Sequence, residues 1–156
     1  MNAQSVVDIL KEKNLMLSTA ESCTGGMIGE LITSVSGASE VYGFGFITYA
    51  NEAKEQILGV KHETLEKFGA VSEETAREMA LGAKRVSGSD ISVSVTGIAG
   101  PGGGTKEKPV GLVYTAICFN EKVEVFKLLL KGDRESVRKQ TCEKVFENII
   151  NCAQNL

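Results

Sequence analysis

The sequence predicts an α/β protein, a three-layer α/β/α domain built on a mixed parallel and antiparallel sheet. Three observations carry this. Amphipathic helical stretches alternate with short β-branched or aromatic runs as far as Thr96, the stretch from Pro109 to Leu130 reads as two strands joined by a tight turn, and one further helical pattern closes the chain. The chain has 156 residues, 42% of them hydrophobic and 24% charged. That is enough for one core of ordinary globular composition. No repeat or linker divides it, so residues 1–156 are expected to form one domain.

Each element has a local reason. Val6, Val7, Ile9 and Leu10 give a first helix its apolar stripe, and Asn14 is placed to end it before a strand from Leu15 to Thr19. The glycine pair Gly25–Gly26 then opens a helix through Met27, Ile28, Leu31, Ile32 and Val35, which the Gly37 segment stops. Val41 to Ala50, VYGFGFITYA, reads as a strand whose Gly43 and Gly45 imply close packing on one face. Asn51 is a candidate cap for a helix from Glu52 to Leu58, and HETLEKFG reads as a further short helix. Ser72 caps a longer one through Met79 and Val86 to Gly88. Ile91, Val93 and Val95 alternate with Ser92, Ser94 and Thr96 as a strand. The stretch GIAGPGGGTKEK, Gly97 to Lys108, holds too many glycines for regular structure. Pro109 leads into a strand reaching Phe119, Glu121 and Lys122 make the turn, and Val123 to Leu130 returns antiparallel. Asp133 caps the last helix, whose apolar face is Val137, Val145, Ile149 and Ile150.

Charge and composition narrow the function classes. A formal net charge of −3 and a pI near 5.3 provide no general attraction to nucleic acid or to an anionic membrane, so any anion site is small and local. Cys23, Cys118, Cys142 and Cys152 form no CxxC or Cys/His cluster. Neither a metal site nor a disulfide framework is expected, and free thiols fit a cytoplasmic location. No apolar run approaches the ~20 residues of a membrane span, and the first residues do not read as an export signal.

The chemistry concentrates where the first strand meets the helix after it. Unpaired N–H groups at a helix start favour negative charge, and Ser22 and Thr24 stand there as a candidate nucleophile or, more simply, as helix caps. Cys23 is the rival nucleophile, because a helix start can activate a thiolate. The usual base for a serine is absent, since the only histidine, His62, lies in a polar surface segment. A lysine can serve instead if its cation is destabilised, and Lys54, in the first turn of its helix, feels the positive helix end, with Tyr49 nearby as a proton relay. Arg134 and Arg138 open the last helix against the dipole trend and suit a phosphate. The GPGGGTK stretch lacks the GK[ST] order of a Walker A loop.

These residues also carry a resemblance. TAESCTGG at Thr19–Gly26, GFITYANEAK at Gly45–Lys54, GAVSEE at Gly69–Glu74, TGIAGPGGGTKEKPVG at Thr96–Gly111 and GDRESVR at Gly132–Arg138 resemble, in order and over nearly the whole chain, the CinA C-terminal domain family, also known as the nicotinamide-nucleotide amidases (PncC). The resemblance is to the free-standing form of that domain. It implies hydrolysis of the carboxamide of nicotinamide mononucleotide to nicotinate mononucleotide and ammonia, without metal or cofactor, by a homodimer. A serine nucleophile with tyrosine and lysine maps onto Ser22, Tyr49 and Lys54. Substrate contacts are expected from Cys23, Thr24, Gly25 and Gly26, from Gly97, Ile98, Ala99 and Gly100, and from Arg134 and Arg138. The alternative is a catalytically idle module that binds or senses a pyridine nucleotide; a third is an amidase for another small amide.

Overall fold

A five-stranded sheet in the order β2-β1-β3-β4-β5 organises the computed structural model, which describes residues 2–156. The elements are α1 (Ala3–Lys13), β1 (Leu17–Glu21), α2 (Met27–Thr33), a single 3-10 turn at Ala38–Glu40, β2 (Tyr42–Ile47), α3 (Asn51–Leu58), α4 (His62–Phe68), α5 (Glu73–Ser87), β3 (Ile91–Gly97), β4 (Leu112–Phe119), β5 (Lys122–Leu129) and α6 (Arg134–Gln154). β1 pairs parallel with both β2 and β3, while β3, β4 and β5 pair antiparallel. The predicted three-layer architecture and mixed sheet are what the chain forms.

Side-chain alternation sends each face of the sheet to a different helix layer. Leu17, Ile91, Val93, Val95, Val113 and Ile117 face the core shared with α1, α2 and α6. On the other face α5 lies over the sheet with α3 and α4 beside it. There Ser92, Ser94 and Thr96 donate to the carbonyls of Ala80, Ala76 and Ala70 at 2.7, 2.6 and 2.8 Å. So the polar half of β3 does not meet water. Small residues on α5 let the helix sit low enough for the Ala76 and Ala80 carbonyls to satisfy two of the hydroxyls, and the segment ahead of α5 supplies the third.

Several boundaries differ from the sequence expectation. β1 begins two residues late, because Asn14 closes α1 in the left-handed conformation (φ 55°) and the Met16 N–H is taken by the Asp90 carboxylate at 2.8 Å. The shift puts Ser22 directly after the last strand residue. β2 is a shorter, half-exposed edge strand, and Gly45 is needed there because a Cβ would strike the hydroxyl of Tyr42, itself bonded to Thr19 Oγ1 at 2.6 Å. Asn51 is the first residue of α3 rather than its cap; Ala50 holds the cap position with no side-chain bond. The β4–β5 turn falls at Asn120 and Glu121, since Asn120 takes the positive φ. β4 starts at Leu112, after Gly111 has bonded back to Ile98. The Ser72 and Asp133 caps form as expected, accepting from the N–H groups of Thr75 and Ser136.

Gly82 gives a test of how closely the α layer packs. A Cβ at Gly82 would run into the backbone carbonyl of Leu58 at the end of α3. Alanine favours helix over glycine by ~1 kcal/mol, yet Gly82→Ala is expected to destabilise the protein by about 1–3 kcal/mol through overpacking. A fall in the urea midpoint with an unchanged slope would report it.

Candidate active site

Three parallel strands end side by side, and this brings distant motifs together. Glu21 of β1 is level with Ile47 of β2 and with Val95 of β3. The residues that follow, Ser22, Thr48–Tyr49 and the Gly97–Gly100 segment, therefore share one edge. The antiparallel hairpin returns Leu129 of β5 level with Leu112, beside Gly97, so α6 also begins there. The carboxyl edge, where the chain leaves β1 in one direction and returns to β3 on its other side, is where open α/β sheets place their sites.

Lys54 reaches into this edge from α3. It is 1% exposed, the largest fully buried side chain among the described residues. Its Nζ stands 3.0 Å from Ser22 Oγ, 2.8 Å from the Thr48 carbonyl and 3.1 Å from the Tyr49 carbonyl. No carboxylate is among these partners, and burial alone pushes its pKa below the ordinary lysine value. A Cys23 thiolate would raise it again, but burial lifts Cys23 itself to about 11, so at neutral pH that charge is absent. Nζ donates to all three partners; in the neutral amine that burial favours, two N–H groups would stay on the carbonyls and the lone pair would face the Ser22 hydroxyl.

The turn carrying Ser22 is braced from both sides. Ser22 N donates to the Val95 carbonyl at 3.0 Å, and its own carbonyl accepts from Gly25 N at 3.0 Å. Glu21, 2% exposed, turns both carboxylate oxygens to the start of α2 and accepts from Ile28 N at 2.9 Å and Gly29 N at 3.1 Å. Arg138 crosses from α6 and donates through Nε to the Cys23 carbonyl at 3.1 Å and through Nη2 to the Thr24 carbonyl at 2.9 Å. A trans peptide directs its N–H opposite to its C=O. Pinning the Cys23 carbonyl on Arg138 thus turns the Thr24 N–H the other way. The N–H groups of Cys23, Thr24 and Gly26 have no acceptor among the described residues, and are candidate donors to an oxyanion. Gly25 and Gly26 have φ of 56° and 102°, a conformation that side chains with a Cβ disfavour.

The other expected residues fall in distinct places. Cys23 is buried, 6% exposed, with a raised pKa, which removes the thiolate a cysteine nucleophile needs. Tyr49 contributes its backbone carbonyl to Lys54; the residue is 61% exposed and its hydroxyl accepts from Arg134 Nη2 at 3.2 Å. Arg134 Nη1 also holds the Gly100 carbonyl at 2.9 Å. The loop base is ordered by bonds between Ile98 and both Leu112 and Gly111, Ala99 joins the core, and residues 101–107 are exposed. The hydroxyl of Thr24 is buried without a partner in the protein. His62 is on the surface, between Glu55 and Glu66 at 3.0 and 3.1 Å; these helix-face acids raise its pKa.

Two participants escaped the sequence reading. Thr48 acts through its carbonyl, for which no side-chain signal exists. Glu21 had one, an acid just ahead of a helix start, obscured because β1 was placed two residues early. Among the described residues no cluster of three or more His, Cys, Asp or Glu side chains is arranged to hold a metal, and no helix is long and apolar enough to cross a membrane.

Comparison with known proteins gives consistent results. A family model described as the CinA C-terminal domain matches residues 1–153. A CinA-like protein of Kosmotoga olearia is 58% identical over 133 residues, covering 85% of this chain and 32% of that protein. The crystal structure of competence/damage inducible protein CihA from Agrobacterium tumefaciens superposes with a TM-score of 0.93 at 44% identity, over 96% of this chain and 92% of that one. A competence-damaged protein (CinA) superfamily protein from Klebsiella pneumoniae gives 0.95 at 32% identity, over 99% and 96%. The chain spans about a third of the length of the curated relatives it matches.

The state of Cys23 is directly measurable. At pH 8 a thiol of pKa about 11 holds roughly 100-fold less thiolate than one at the ordinary value of 9.0, by the Henderson relation that underlies thiol reactivity. Alkylation of the native protein with iodoacetamide, followed by peptide mass spectrometry, is expected to label half-exposed Cys152 well before Cys23. Early labelling of Cys23 would reinstate it as a nucleophile.

Proposed function

This chain belongs to the CinA C-terminal domain family, and we propose that it is a nicotinamide-nucleotide amidase, converting nicotinamide mononucleotide and water to nicotinate mononucleotide and ammonia. The observation that carries the reading is the buried, carboxylate-free contact between Lys54 Nζ and Ser22 Oγ at 3.0 Å. The relatives' names, which describe competence-damage inducible proteins, specify no reaction.

In the proposed mechanism neutral Lys54 takes the Ser22 proton as Oγ attacks the carboxamide carbon. The developing oxyanion is met by N–H groups of the Cys23–Gly26 turn, of which Cys23, Thr24 and Gly26 are free to donate. The lysine, now protonated, returns that proton to the departing nitrogen, and ammonia leaves. Water then attacks the acyl-enzyme with Lys54 again as the base, releasing the carboxylate and restoring Ser22. At the other end of the substrate Arg134 is the candidate cation for the phosphate; the depression of about 500 Å³ beside it is also lined by Asp133 and Glu135, so the guanidinium alone would meet the anion. Arg138 already serves two carbonyls, so its part is to orient the turn while adding positive potential. The homodimer that the resemblance implies is supported by the open β2 edge, where Phe44 and Ile47 are exposed.

Two measurements test this. Ammonia release from nicotinamide mononucleotide is expected to fall by on the order of 10³-fold or more in Ser22→Ala and in Lys54→Ala, with the circular dichroism spectrum unchanged. Activity retained in both would end the proposal, while a wild-type protein that binds the nucleotide but releases no ammonia would make it the idle module. The pH dependence follows from the depressed lysine. Below its pKa Lys54 is protonated and cannot accept, so kcat/KM should rise with pH along a single limb whose midpoint lies below 10.5.

A further inference from the structure

We propose that Tyr49 is the ring platform of this site, a specificity-determining side chain that holds a flat, electron-poor aromatic amide, and not a proton relay. The inference rests on the amidase reading for its substrate but on separate geometry for its residue. A relay would hydrogen-bond to the serine or the lysine. Instead the Tyr49 hydroxyl is bonded to Arg134 at 3.2 Å, and among the described residues neither Ser22 Oγ nor Lys54 Nζ lies within hydrogen-bonding reach of it. Lys54 needs no intermediary, since it contacts Ser22 directly.

The two ends of Tyr49 are fixed independently. Its carbonyl accepts from Lys54 Nζ at 3.1 Å, next to the nucleophile. Its hydroxyl is tied to Arg134, whose other arm holds the Gly100 carbonyl at 2.9 Å. The ring therefore extends from the reacting centre towards the basic start of α6, the span that a ring carrying an amide at one end and an anionic group at the other would follow. Yet 61% of the residue is exposed. A ring held at both ends with an open face is arranged to be covered by a ligand, and a tyrosine face attracts a cationic heteroaromatic such as a pyridinium. The substrate of the amidase reading, an N-substituted pyridinium carboxamide with an anionic tail, offers this face such a ring.

Tyr49→Ala is expected to raise KM for nicotinamide mononucleotide by roughly 5- to 30-fold with little change in kcat and no movement of the pH limb set by Lys54. Tyr49→Phe should recover most of that loss. Nicotinamide riboside keeps the ring and lacks the phosphate, so the Tyr49→Ala penalty should be the same factor for it. Calorimetry of nucleotide binding to Ser22→Ala, alone and combined with Tyr49→Ala or Tyr49→Phe, measures the same contact without turnover. Equal damage from Phe and Ala, or a loss confined to kcat, overturns the platform while leaving the amidase intact. Tyr49-dependent binding in a protein that releases no ammonia keeps the platform and removes the amidase. Failure of the nucleotide to bind removes the platform too.

Discussion

Everything at the carboxyl edge of this sheet depends on burying one amine without giving it a counter-ion. A lysine cation out of water is costly unless a carboxylate sits against it, and Lys54 has only two carbonyls and a hydroxyl. A carboxylate would have made the position comfortable and chemically inert, because it would hold the proton on. The carbonyls satisfy the N–H groups without that penalty to basicity. Thr48 and Tyr49, the first residues beyond β2, can supply them only because β2 stops level with β1, and because α3 begins at once and carries Lys54 back over the strand end.

The neighbouring turn has the opposite difficulty, since it must hold backbone polar groups in a fixed array beside Ser22. It does so with two charged residues that do not pair with each other. Glu21 satisfies N–H groups at the start of α2, where a negative charge is favourable. Arg138 satisfies two carbonyls that the turn would otherwise leave unpaired. This also accounts for cations at the start of α6, against the dipole. Arg138 is there to reach across to the turn, and Arg134 to tie Tyr49 to the Gly100 loop; the Asp133 cap and Glu135 offset part of the dipole cost.

Much of this was legible in the sequence, and what was not has physical causes. Each helix and strand was located, by periodicity where one face is apolar, as in α1, α2 and α5, and by cap residues, glycines or composition in α3, α4 and β2. Ser22, Lys54 and the glycine pair stood out as chemistry-bearing types in suggestive local settings. Boundaries were misplaced where a single residue in the left-handed conformation decided them, at Asn14 and Asn120, and propensity carries no tertiary information about which residue will take that role. Backbone groups were invisible. The Thr48 and Tyr49 carbonyls hold Lys54 through the main chain, so no residue type announces them. Arg134 and Arg138 stood out as cations at a helix start and were read as phosphate donors; in the structure they donate to the backbone carbonyls of Gly100, Cys23 and Thr24.

A serine–lysine pair also constrains where such a site can be built. Histidine near its ordinary pKa works as a base even when wet, and tolerates an exposed cleft. Lysine becomes a base only where water is excluded from its amine, so the proposed role of Lys54 requires it to be covered while the serine beside it stays reachable. The structure combines the two: Lys54 reaches Ser22 from α3 and is 1% exposed, while Ser22 itself retains 9% exposure. The carbonyls of Thr48 and Tyr49 hold the amine, and the Tyr49 side chain stays exposed. The exposed aromatic thus goes with the buried amine: the peptide whose carbonyls hold Lys54 Nζ also carries the exposed side chain of Tyr49 at this edge of the sheet.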